Sequence, residues 1–133
     1  LDRSSAASDV YKRQDPFCAP LARKLADALE QLKDTTDELA AQVAENPAHG
    51  LANATVYLDL FGRVVVGWLW LRMALLARCA LDAGASGSEA DFYRGKLQAA
   101  RYFMDWELAL VDSHAGLLQS GNRVSLDMQD AWF

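Results

Sequence analysis

Residues 54–81 read ATVYLDLFGRVVVGWLWLRMALLARCAL, the most apolar and most aromatic part of this 133-residue chain. The run is too long for a strand and Thr55 supplies a start signal, which together predict one helix of about 40 Å. On a helical wheel Tyr57, Phe61, Val64, Trp68, Leu71, Leu75 and Cys79 form one stripe. Leu58, Val65, Leu69 and Leu76 form a second, and Val66, Trp70, Met73 and Ala77 lie on the opposite side. A helix that is apolar nearly all round is covered on several sides. Arg63, Arg72 and Arg78 interrupt the run. They leave fewer uncharged residues in a row than a bilayer crossing needs, so no membrane span is expected.

Upstream of this helix, Leu21, Leu25, Ala28, Leu32, Thr36, Leu39 and Val43 recur at steps of three and four. The remaining positions are rich in charge, which predicts an amphipathic helix with one seam, stopped by Asn46-Pro47. Asp15 to Pro20 reads as a linker or helix start, with Pro20 suited to a first turn. Downstream, Gly84 to Gly87 break the chain, and Ser88 with Asp91 opens a third helix predicted over Glu89 to Ser120. Its stripes are Tyr93, Leu97, Ala100, Met104, Leu108 and Val111, and next to them Phe92, Ala99, Phe103, Trp106 and Leu110. A short turn is expected after Gly121-Asn122, with Trp132 and Phe133 tucked against the helices. No alternating strand pattern and no internal repeat is present. The fold class is therefore all-α, an antiparallel bundle of three long helices plus a short C-terminal helical turn.

Two motifs carry a resemblance. YLDLFGRVVVGWLWLRMAL at 57–75 and DFYRGKLQAARYFMDWEL at 91–108 resemble the C-terminal helical domain of one branch of the acyl-CoA dehydrogenases. That branch holds the enzymes acting on 3-methylmercaptopropionyl-CoA and the long FadE-like proteins. Its motifs run YLxLFGxVxGGWLLAR and FYRAKLxTARFY; here Asp59 replaces a basic residue, Val66 a glycine and Gly95 an alanine. The likeness covers Leu21 to Phe133. It implies a parent enzyme that holds FAD and removes the α-proton and β-hydride of an acyl-CoA thioester. It implies no catalytic and no FAD-binding residue in this chain, because those motifs belong to the main dehydrogenase fold. The expected partners are the catalytic domain of the same polypeptide, a second subunit and, for the parent, acyl-CoA. The rival reading is a free-standing helical protein–protein interaction module.

Ser4 to Gln14 translate the adapter and transposon end used in tagmentation sequencing libraries. Residues 1–14 are therefore read as a non-native, disordered segment and set aside. The native domain is then 15–133, an N-terminally truncated piece of a larger enzyme. Removing Arg3, Lys12, Arg13, Asp2 and Asp9 from 13 basic and 18 acidic residues leaves 10 and 16, a net charge of −6. Such an acidic domain is unsuited to nucleic acid or an anionic membrane. Cys18 and Cys79 fit neither a metal spacing nor a disulfide scaffold, so a reducing cytoplasm is expected.

Chemistry-bearing patterns are few. No glycine-rich phosphate loop and no Glu-x-x-His pair occurs, and a metal site is not expected. Asp112-Ser113-His114 offers three hydrolase residue types, but neighbours on a helix point in different directions and cannot form a relay. His49 reads as a solvated loop histidine. Arg72 falls within the apolar arc, so it needs a partner. Folding the first helix back predicts an ion pair with Asp27 or Glu30, and one from Arg63 to Asp37 or Glu38. The alternative is that Arg72 lies along Trp68 toward water. Gly62 and Gly67 predict a close approach, with Trp106 the expected crowding side chain. The Val66, Trp70, Met73 and Ala77 side is left without a neighbour in a three-helix bundle. It is the candidate interface.

Overall fold

Asp15 starts the first helix. Its Oδ1 accepts hydrogen bonds from the backbone N–H of Phe17 at 2.9 Å and Cys18 at 2.7 Å, satisfying donors that a helix N-terminus leaves open. The computed structural model describes residues 14–133; apart from Gln14, the adapter-like segment lies outside them. The elements are α1 (Cys18–Glu45), α2 (Pro47–Leu51), α3 (Ala54–Asp82), α4 (Gly87–Tyr102), a π-helical turn (Phe103–Glu107), α5 (Leu110–Gln119), α6 (Val124–Asp127) and a 3-10 turn (Asp130–Trp132). The described residues contain no strand, and the all-α reading holds.

Helices α1 and α3 and the third unit, α4 through α5, pack on one another as the three long members of the bundle. Asn46 turns the chain between the first two. Its side chain accepts from the N–H of Ala48 and His49 and so caps α2, while Pro47 takes the first helical position. Gly50 is buried against α1. A Cβ there would lie 2.6 Å from Val43 N and 2.7 Å from Val43 Cα, so only glycine lets the two segments meet this closely. Gly84, with φ 98°, ends α3 in the left-handed region.

The third unit is not one uninterrupted α-helix. The N–H of Leu108 donates to the carbonyl of Phe103 at 2.9 Å, a five-residue step that inserts a π turn. The first stripe of this unit still points inward, with Leu97, Ala100, Met104, Leu108 and Val111 buried. They pack with Leu21, Leu25, Leu32, Leu60, Leu71 and Leu118 in one cluster. Cys18 is fully buried in it as well, and burial, with Asp15 adding to it, pushes its thiol up to about 12. It is an inert core residue.

Three expectations are corrected here. Thr35, not Thr36, is the seam residue: Thr35 is fully buried and its Oγ accepts from Gln119 Nε2 at 2.9 Å. Thr36 instead joins the Leu32 carbonyl and the Tyr57 hydroxyl at the edge. Gly67 does mark a close approach, but Leu25, Leu108 and Phe103 crowd it, at 3.2, 3.4 and 3.5 Å from a Cβ built there. Trp106 is exposed and takes no part. Trp132 and Phe133 are 62% and 93% exposed, and no residue after α5 is buried.

Candidate interaction surface

By length and composition alone, α3 could cross a membrane, with mean hydropathy 1.7. This is more than the sequence reading allowed it. Only a third of that apolar window is buried in the bundle, however, and the rest is half-buried or exposed. Leu60, Val64, Leu71 and Ala74 point inward, as in a core helix of a bundle. The open side carries Leu58, Phe61, Val65, Trp68, Leu69 and Leu76, all exposed. Their spacing of three, four and seven residues aligns them along one face. A second open strip lies on the third unit, where Tyr102, Trp106 and Leu110 are exposed at four-residue steps and Tyr102 stacks on Trp106 at 5.9 Å. Single exposed apolar residues are ordinary, but contiguous strips mark contact sites.

The sequence placed the open face on the wrong side of α3. Ala77 is buried, Trp70 and Met73 are half-buried, and only Val66 is exposed among the four candidates. Trp70 packs against the core cluster. The reason is visible at Arg63, which shares that side of the helix: its Nη1 donates to Glu107 Oε2 at 2.6 Å, so the third unit covers this flank. What remains open is the stripe of Leu58, Val65, Leu69 and Leu76, together with the Phe61 and Trp68 edge of the first.

The ion pairs follow the same geometry. Arg63 pairs with Glu107 and, at 3.3 Å, with Asp59, not with Asp37 or Glu38; Glu38 accepts from Gln42 instead. Arg72 pairs with neither Asp27 nor Glu30. Its guanidinium lies 5.0 Å from the Trp68 ring centroid in a cation–π contact, and Glu30 is taken by Lys33. On α1, Lys24 pairs with Asp105 and Gln31 bonds to Asp112. The polar flank of α1 that includes Asp27 therefore faces the third unit, away from Arg72. Arg78, the third arginine of α3, reaches buried Asp15 at 3.0 Å and Asp82 at 3.4 Å.

One polar cluster was not foreseen. Asp59, Arg63, Glu107 and His114 meet beside an open groove lined by Thr55, Gly62, Val66 and Phe103. His114 Nδ1 stands 3.6 Å from Asp59 Oδ2, buried and without a hydrogen-bond partner. The π turn that brings Glu107 to Arg63 leaves no trace in the hydrophobic period, which is why sequence reading missed it. Asp112, Ser113 and His114 do separate: Asp112 bonds to Gln31, Ser113 to the Leu110 carbonyl, and His114 faces Asp59. Among the described residues no three of His, Cys, Asp and Glu gather as metal ligands. The groove does not fit a flavin either, because Asp59 and Glu107 would repel a dinucleotide's phosphates and Arg63 already holds both.

The fold is a helical bundle that leaves apolar side chains uncovered on α3 and on the third unit. Residues 4–129 match the family described as acetyl-CoA dehydrogenase C-terminal like, and the chain belongs to that family. The match starts within the segment read as adapter-derived. The chain is also 32% identical over 117 residues to the broad-specificity linear acyl-CoA dehydrogenase FadE5 of Mycobacterium tuberculosis (strain ATCC 25618 / H37Rv). That alignment covers 86% of this chain and 19% of the relative.

Proposed function

We propose that this chain is the C-terminal structural and interface domain of an FAD-dependent acyl-CoA dehydrogenase acting in the cytoplasm on fatty acyl thioesters. In that reading a catalytic body elsewhere in the polypeptide holds the flavin and performs the α,β-dehydrogenation. This domain contributes no catalytic group; it packs against that body and a second subunit. The observation that carries the proposal is the pair of uncovered apolar strips on a domain of this family. Contiguous exposed apolar surface of this kind marks a contact site. Acyl-CoA is the substrate of the parent, and neither FAD nor acyl-CoA is held by these helices.

Reading the coding DNA upstream of Asp15 and producing the encoded polypeptide tests this. The expected product is yellow, carries one flavin per chain, and bleaches when acyl-CoA is added. A start codon immediately before the Asp15 codon, or a colourless polypeptide, would favour the free-standing interaction module instead.

A further inference from the structure

The outward face of α3 and the C-terminal tail share a property: each sets an unpaired charge among exposed apolar side chains. On α3, Arg72 stands one turn beyond Trp68 and Leu69 and one turn short of Leu76, all of them exposed. It belongs to none of the ion pairs among the described residues, and its one ring contact is with Trp68. Of the two carboxylates on α3, Asp59 is turned toward Arg63 and Asp82 toward Arg78. In the tail, Asp130 likewise has no ion-pair partner among the described residues. Leu126, Met128, Trp132 and Phe133 around it are exposed. Arginine and tryptophan are the residue types that anchor protein contacts.

We propose that the tail of one copy seats on the α3 face of a second copy, Asp130 of each pairing with Arg72 of the other. Trp132 and Phe133 then lie against Trp68 and Leu69, with Met128 toward Leu76. The proposal deepens the interface reading above, on which it rests, by naming the contact made with the second subunit.

Within one chain the contact is not made: Arg72 and Asp130 form no ion pair with one another, and Trp132 and Phe133 stay exposed. Asn53 Nδ2 donates to the Asn122 carbonyl at 2.8 Å, which fixes the root of the tail beside the start of α3. From Asn53 to Arg72 the helix rises about 28 Å. From Asn122 to Asp130 the chain passes through the helical turn of α6; four helical and four extended residues span about 20 Å, so Asp130 would meet Arg72 of its own chain only with the tail and both side chains drawn out along α3. Exchange between two copies satisfies both charges of both chains in one closed two-fold contact.

Sedimentation equilibrium on the full chain tests this. The expected species is a dimer. Arg72→Asp and Asp130→Arg should each weaken it by roughly tenfold or more, since each sets like charges opposite one another. An equimolar mixture of the two variants should recover a mixed dimer, because each chain then offers what the other lacks. Trp132→Ser, which leaves both charges in place, should also weaken association, and far-UV circular dichroism checks that every variant is folded. A monomeric parent chain, single variants that associate like the parent, or a mixture that stays monomeric would overturn the proposal. Flavin content and acyl-CoA-dependent bleaching report on the domain assignment separately, so the two failures are distinguishable.

Discussion

The two sides of α3 are built from the same residue types and meet opposite fates. Leu60 is fully buried and Leu71 nearly so, while Leu58 is 70% and Leu76 67% exposed. Side-chain character therefore does not decide which face of this helix is core. That is decided by where α1 and the third unit can reach, and polar contacts mark those directions: Arg63 to Glu107 on one flank and Tyr57 to Thr36 on the other. In a helix apolar all round, the hydrophobic pattern gives the elements and their length, and the few polar residues orient it.

Breaking the inner side should have the largest effect. Leu60 fills a site with no solvent contact, and Leu60→Ala should lower unfolding stability by about 2–5 kcal/mol through lost burial and the cavity left behind. Urea denaturation at a protein concentration low enough to dissociate any oligomer measures it. A loss under about 1 kcal/mol would mean that the inner side is no better packed than the outer.

The inner and outer arginines extend the comparison. Arg78 reaches buried Asp15, whereas Arg72 has only the Trp68 ring. Burial by itself would raise the Asp15 pKa. The N–H of Cys18, the Arg78 guanidinium and the N–H of Phe17 outweigh it and hold the carboxyl below its ordinary value. The unfolded chain then binds the proton more readily. The contribution is complete above the ordinary carboxylate range, near pH 4, and is lost as pH falls through the lower folded value. Asp15→Ala should cost about 1–2 kcal/mol at neutral pH, mostly as a lost helix cap. It should also make stability fall less steeply below about pH 4 than in the parent. Arg72→Ala should change the stability of the dissociated chain by less than about 0.5 kcal/mol. Denaturation curves from neutral pH to pH 2 compare all three proteins.

The sequence was most legible where one face alone is apolar. Along α1, Leu21, Leu25, Ala28 and Leu32 stood out against charge and are buried as the period requires. The three-helix plan and the family resemblance were likewise readable from run lengths, breakers and two motifs. The side of α3 that stays open was not readable, because three apolar stripes compete and the wheel holds no information on the third unit's approach. The π turn was hidden for a related reason. One inserted backbone step changes where Glu107 points without changing the period of Tyr93, Leu97, Ala100 and Met104. The Arg72 partner was misplaced because antiparallel register alone does not tell which flank of α1 faces α3.

Gly62 and Gly67 sharpen the comparison within a turn and a half of one helix. A Cβ on Gly62 meets nothing within 4 Å, while one on Gly67 meets the Leu25, Leu108 and Phe103 side chains. Gly62→Ala should therefore stabilise the chain by about 0.5–1 kcal/mol, the helix preference of alanine with no steric penalty. Gly67→Ala has the same helix gain, but Leu25 and Leu108 must give way, so the net change should be smaller or of opposite sign. Thermal melts of the two variants side by side decide it; an equal rise at both positions would mean that α3 does not closely approach its neighbours at Gly67.

The smallest effect on the fold is expected at Leu69, the outward counterpart of Leu60. Leu69 is exposed, and glutamine keeps a similar length and nearly the same helix preference as leucine. Leu69→Gln should then shift the stability of the dissociated chain by less than about 0.5 kcal/mol in either direction. The same change removes apolar surface beside Trp68 at the centre of the open strip, so it should weaken self-association measured by sedimentation. The pairing of the two results carries the information. A large loss of stability in the dilute chain would show that Leu69 is covered from within and that the open face lies elsewhere. Unchanged stability together with unchanged association would leave the strip as exposed apolar surface without a partner in this chain. Only unchanged stability with weakened association fits a face that the fold leaves open and a second copy covers.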